Sequence, residues 1–133
     1  MRRVPFFRSF AVLLAGAACV LGAHAQSYPA KPVHLLVSNT AGSTPDVLAR
    51  YFSTRLADAW KQPVVVENRA GAGGIVAADV VAKAAPDGYT LLVGADGPIT
   101  ILPALRKGLP YDVERDLVPV ASLGETDFLL VAN

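Results

Sequence analysis

The sequence predicts an α/β fold on a parallel sheet, and three observations carry that prediction. Short apolar runs rich in β-branched and aliphatic residues recur at "KPVHLLVS", "VVVE" and "YTLLVG". The two segments between them return their apolar residues at helical spacing. Each run empties into a loop bearing glycine. The order is therefore βαβαβ, whose crossovers are right-handed and build parallel sheets.

Lys31–Ser38 reads as the first buried strand. The polar loop "NTAGSTPD" follows, and within it Thr44-Pro45-Asp46 reads as a helix start. Thr suits the N-cap, Pro the first helical position and Asp the first turn. Leu48, Phe52, Leu56 and Ala59 then recur along one face, widened by Val47 and Tyr51, while Arg50, Ser53, Thr54 and Asp58 fall elsewhere. Lys61-Gln62-Pro63 ends this helix. Val64–Glu67 is the second strand, unbroken as in sheets covered on both faces. After the corner Gly71-Ala72-Gly73-Gly74, "IVAADVVAKAA" places Val76, Val80, Ala84, Ala77 and Val81 on one helical side. Asp79 and Lys83 form an i,i+4 pair with the acid first, the better orientation. "APDG" stops the helix, with Gly88 free to take positive φ. Tyr89–Gly94 is the third strand. Pro98, Pro103 and Pro110 then confine any helix to a short piece around Ile101–Leu105. "LVPVASLG" and "DFLLVAN" read as two further strands.

The chain opens differently. Arg2, Arg3 and Arg8 precede an apolar run from about Phe10 to Ala23, and Ala23-His24-Ala25 is a small-residue exit before Gln26. These are the parts of a cleavable secretory signal over residues 1–25. Cys19 is a weak lipoprotein site, because Gly16 stands where a Leu-like residue is wanted. Cleavage would remove the single cysteine, so the exported portion would hold together by its core alone. The signal carries three of the 12 basic residues and none of the 11 acidic ones, leaving a net charge of −2. A mildly acidic chain without a basic cluster argues against nucleic acid as a partner.

What the glycine corner holds is open on the residues alone. A dinucleotide fingerprint would follow its strand directly and place Gly or Ala sixth, where this chain has Val76. The phosphate-binding P-loop fails too, since no Lys-Ser/Thr follows. A helix starting near Gly74 nevertheless leaves its first N–H groups unpaired and its positive dipole end facing the loop. Glycines let an anion approach those groups. The helix near Thr44 offers a similar end, and "GADGPIT" reaches the same rim. In open α/β sheets ligands bind outside the carboxyl ends of the strands. The plain alternative is that Gly71, Gly73 and Gly74 only permit a tight turn and close packing. Catalysis has little support. His34 lies in a strand and His24 in the leader, Ser38, Ser43 and Thr44 lack a paired His nearby in sequence, and no grouping has metal spacing. Arg69 can serve a ligand carboxylate, Glu67 or solvent. No cofactor is expected.

"YPAKPVHLLV", the spacing Gly42 to Asp46-Val47-Leu48-Ala49-Arg50, "QPVVVENRAGAGG", "AAPDGYTLLVG" and "LPYDVERDLVPVA" resemble the Bug-type, or TctC-like, periplasmic substrate-binding proteins of tripartite tricarboxylate transporters. The resemblance runs from about Tyr28 to Asn133. It implies a two-domain Venus-flytrap fold closing on a small organic acid, held by loop backbone and ordered water rather than by a dedicated Arg. Family members are more than twice this length. Residues 26–133 thus resemble the N-terminal part of domain 1, the βαβαβ lobe, without the second domain. The resemblance and the helix-end argument together give the candidate ligand contacts: Gly42, Ser43, Thr44 and Asp46; Gly71, Ala72, Gly73 and Gly74; Ala95, Asp96, Gly97 and Thr100. Asp46 is better suited to cap its own helix than to touch ligand.

Two residues depart from the family pattern. The first loop keeps one Gly, Gly42, where a Gly-Gly pair is usual. Asp96 stands where small hydroxyl residues are usual, and a carboxylate there repels a carboxylate ligand by up to ~4 kcal/mol at ~4 Å before screening. Either Asp96 points away or the ligand carries a cationic group. The expected protein is a periplasmic solute-binding protein, not an enzyme, taking a small organic acid or amino-acid-like ligand to membrane permease subunits. The rivals are the ligand-binding lobe of a periplasmic sensor and a nucleotide-dependent α/β enzyme.

Overall fold

A computed structural model describes residues 27–125 and 131–132. The signal segment, its exit at Ala25, Cys19 and most of "DFLLVAN" lie outside the described residues.

Strand β1 (Val33–Val37) is central, flanked by β2 (Val64–Asn68) and β3 (Thr90–Val93) in the order β2-β1-β3. Both pairings are parallel, with His34 opposite Val65 on one side and Thr90 on the other. The expected α/β class and βαβαβ order are therefore present. The centre strand is the most thoroughly covered: Val33 and Val37 are fully buried, and Leu35 and Leu36 nearly so. Val33, Leu35, Val37, Ala49 and Val93 form the core, with Trp60, Val64, Val66, Tyr89, Leu91 and Leu123 packed around it.

Helix α1 (Thr44–Trp60) joins β1 to β2, and α2 (Ile75–Ala82) joins β2 to β3. The two crossovers run in opposite directions across the sheet, so right-handedness puts their helices on opposite faces. Residue Lys61, in the left-handed region at φ 55°, closes α1 by donating to the Ala57 carbonyl. The Asp79–Lys83 pair forms at 2.5 Å, and Gly88 takes φ +78°.

The helix faces differ from those expected. In α1 the buried line is Asp46, Ala49 and Ser53, with Leu48, Phe52, Leu56 and Trp60 half-buried, while Val47 and Tyr51 are exposed. Small side chains let the helix approach the sheet closely. Ser53 can sit there because its hydroxyl donates to the Arg50 carbonyl at 2.9 Å. In α2 the buried residues are Ala77 and Ala78, and Val76 and Val80 face outward. The start of α1 also shifts by one residue: Ser43 is the N-cap, and its hydroxyl donates back to Thr40 O at 2.7 Å instead of capping the helix.

Beyond β3, a wide turn over Gly97–Ile101 leads into α3 (Leu102–Leu105), and α4 spans Val113–Asp116. The expectation had no α4. Asp112 caps it by accepting from Glu114 N and Arg115 N. Leu117–Gly124 is not a strand, contrary to the sequence expectation. Pro119 supplies no ladder donor, no described strand lies beside the segment, and Val118 and Val120 are exposed. Leu123 alone returns to the core.

Candidate functional site

The order β2-β1-β3 is that of the first three strands in the doubly wound 2-1-3-4-5 arrangement, whose topological switch point is the β1/β3 boundary. Ligands of open α/β sheets occupy the crevice at the carboxyl ends there. A recess of about 310 Å³ occupies that place. Its walls are Ser38, Asn39 and Thr40 after β1, Ala70, Gly71, Gly73 and Gly74 after β2, and Ala95, Asp96, Gly97 and Pro98 after β3.

The three loops are fastened to one another. Ser38 is buried; its N–H donates to Val93 O at 3.2 Å, and its hydroxyl donates to Asn39 Oδ1 at 2.9 Å while accepting from Ala95 N at 3.4 Å. A Cβ on Gly74 would stand 2.8 Å from Pro98 Cγ, and one on Gly97 would stand 3.2 Å from Gly73 O. Glycine is thus needed for the corner and the third loop to touch. Tyr111, itself buried, donates to Pro98 O at 2.7 Å and braces that loop from behind.

The corner folds as a short 3₁₀ turn over Ala72–Gly74, in which Gly74 N donates to Gly71 O and Ile75 N to Ala72 O. No acceptor among the described residues takes the N–H groups of Gly71, Ala72 and Gly73. Three successive unpaired amides at the start of α2 form the concave donor surface that anions favour.

The start of α1 is arranged otherwise. The buried carboxylate of Asp46 accepts from Gly42 N at 2.8 Å, from Arg50 Nε at 3.1 Å and from Asn68 Nδ2 at 2.9 Å. Hydrogen bonds from the Arg50 guanidinium first, then from Gly42 and Asn68, lower its pKa to about 2. Ser43 N donates to Thr40 O at 3.2 Å. Two amides expected to face a ligand are therefore bonded within the chain, and Gly42, Ser43, Thr44 and Asp46 do not line the recess. The cluster acts on the wall instead. Asn68 also donates to Asn39 O at 3.2 Å, so Asp46 holds Asn68, which holds the loop after β1.

Of the remaining candidates, Gly71, Gly73, Gly74, Ala95, Asp96 and Gly97 line the recess, and Ala72 lies between two of them. Thr100 instead lines a larger hollow, about 830 Å³, shared with Pro103, Leu109 and Tyr111. That hollow touches no strand end, so the smaller recess is the better ligand site. Ser38, Asn39, Thr40, Ala70 and Pro98 line the recess and were absent from the sequence candidates. Asn39 and Thr40 were detectable as the first residues past the β1 carboxyl end. Arg69 does not line it: its guanidinium reaches Glu67 Oε2 at 3.1 Å, and His34 Nδ1 lies 2.7 Å from Glu67 Oε1. His34 and then Arg69 hold the Glu67 carboxyl below its usual range. Among the described residues, no helix is long and apolar enough to cross a membrane and no acidic, His or Cys group is placed for a metal.

Comparison with known proteins adds to this geometry. Residues 48–133 match the model of the tripartite tricarboxylate transporter family receptors. The chain is 42% identical over 123 residues to protein BugT of Bordetella pertussis, covering 92% of this chain and 38% of that protein. It is 48% identical over 102 residues to a UPF0065 protein of Bordetella bronchiseptica, covering 77% of this chain and 30% of that one. A periplasmic transporter structure superimposes with TM-score 0.63 at 41% identity, covering 65% of this chain and 29% of that one. MatC from Rhodopseudomonas palustris with bound malate also gives 0.63, at 39% identity, covering 67% and 30%. An R. palustris protein with adipate gives 0.58 at 35% identity, covering 65% and 29%. The chain spans about 30–40% of the length of the curated relatives it matches.

Proposed function

The chain belongs to the tripartite tricarboxylate transporter receptor family, and we propose that it supplies one wall of a periplasmic cleft that captures a small carboxylate-bearing metabolite. The observation that carries this reading is the row of unpaired amides at Gly71, Ala72 and Gly73 beside the recess at the β1/β3 switch point. A carboxylate placed there would accept from two or three N–H groups and meet the positive end of α2. Malate and adipate, the acids bound to the two R. palustris relatives, carry the carboxylate to which such amides donate. Ala95, Asp96 and Gly97 would close the opposite wall. Gly42, Ser43, Thr44 and Asp46 would act through loop shape, and Thr100 from the far side of its turn.

The curated relatives are more than twice as long as this chain, and a second lobe would supply the facing wall. Ligand would favour the closed pair of lobes by its higher affinity for that arrangement, and the closed form would deliver the acid to membrane permease subunits. Export through the signal over residues 1–25 would place the protein in the periplasm. No bond is made or broken in this function.

The test is a thermal-shift screen of the chain with di- and tricarboxylates, NAD and ATP. Stabilisation by the acids alone supports a carboxylate receptor. Stabilisation by NAD or ATP alone would replace that reading with the nucleotide-dependent one.

A further inference from the structure

We infer that the ligand carries a cationic nitrogen as well as a carboxylate, and that Asp96 is the residue selecting for it. The inference rests on the carboxylate-receptor reading and narrows its substrate class to amino-bearing acids.

Asp96 is the one charged side chain among the described residues lining the recess. It is solvent-exposed, and no basic group stands within ion-pair distance of it among the described residues. Arg69 is engaged with Glu67 and Arg50 with Asp46. The rim therefore presents amide donors on the corner and an unneutralised carboxylate on the loop after β3. A plain dicarboxylate gains from the first and is repelled by the second. An α-amino acid satisfies both, with its carboxylate on the Gly71–Gly73 amides and its ammonium toward Asp96. The donor inventory points the same way. Gly42, Ser43, Gly74 and Ala95 give their N–H groups to the chain itself, so few remain to hold a second carboxylate against Asp96.

The experiment titrates the ¹⁵N-labelled full chain with succinate against aspartate and glutarate against glutamate, pairs differing by one α-amino group. The amino member should bind about five- to tenfold tighter in each pair at low salt, and less so as salt screens the pair. The variant Asp96→Asn should gain affinity for succinate and reduce the preference to within about twofold. The exposed Asp96 side chain forms no ion pair among the described residues, and the dispersion of the variant's spectrum checks that Asp96→Asn folds. Tighter or equal binding of the unaminated acids, or a preference that survives in Asp96→Asn, would overturn the selection and leave the carboxylate reading standing. No response to any of the four acids would overturn both.

Discussion

Asn68 Nδ2 donates to Asp46 Oδ1 at 2.9 Å, joining the end of β2 to the first turn of α1 across 22 residues of sequence. The same amide nitrogen donates to Asn39 O, so one side chain ties together the loops that follow β1 and β2. Every group around Asp46 is a donor: Gly42 N–H, the Arg50 guanidinium and the Asn68 amide.

Asp46→Asn is therefore not a conservative change, because an amide there sets donor against donor. We expect its thermal midpoint to fall by on the order of 5 °C or more, followed by circular dichroism. Asn68→Ala should fall by less, since Asp46 keeps Gly42 and Arg50. A midpoint for Asp46→Asn equal to the parent's would show that the cluster contributes nothing to stability.

Acid should unfold the chain partly through the same residue. The Asp46 pKa is lowered in the fold to about 2, from an ordinary carboxylate value of 3.8. A depressed carboxylate stabilises the fold above its unfolded pKa, and that stability is lost as pH falls toward the folded value. Glu67, held low by His34 and then Arg69, and Asp87, held low by the Tyr89 N–H and then Lys31, add in the same direction. Urea midpoints measured between pH 6 and about 2 should decline on the acid side. The decline should be shallower in Asp46→Asn; parallel curves for parent and variant would remove Asp46 from the account.

The corner and the third loop touch at Gly74. It holds φ +96°, and an added Cβ would meet Pro98 Cγ at 2.8 Å. Gly74→Ala should cost ~2–4 kcal/mol by combining left-handed strain with a clash against a buried ring. Gly42→Ala has φ +84° but open space around it, so it should cost only ~1–2 kcal/mol. Urea unfolding of the pair separates packing from backbone strain, and equal losses would mean that Pro98 simply moves aside.

Much of this architecture was legible in sequence because it rests on local signals. Three β-branched runs, Pro45 behind a Thr, and Pro86-Asp87-Gly88 mark strands and helix ends without reference to the rest of the chain. The helix faces were less legible. Periodicity gives a stripe, but whether Val76 or Ala77 turns inward depends on how closely α2 approaches the sheet. The Asp46 cluster was half visible: an Asp in a first turn signals a cap, but its bond to Asn68 is long-range. Strand order was hidden as well, and with it the switch point that brings Asn39 and Thr40 beside Gly71 and Asp96. Leu117–Gly124 misleads for the same reason, since a strand requires a neighbour that composition does not reveal.

Tyr111 tests the bracing of the third loop. Its hydroxyl donates to Pro98 O from a buried position. Tyr111→Phe leaves that carbonyl short of a partner and should lower stability by ~1 kcal/mol. The amides of Ala95 and Gly97 should exchange with solvent faster in the variant. Unchanged exchange would detach Tyr111 from the recess.

The decisive measurement is the map of backbone amide shifts as aspartate is added to the ¹⁵N-labelled chain. If the recess receives a carboxylate, the largest changes fall on Gly71, Ala72 and Gly73, with smaller ones at Ala95 and Gly97. Changes centred on Thr100 and Tyr111 in the larger hollow, or none anywhere, would contradict the site.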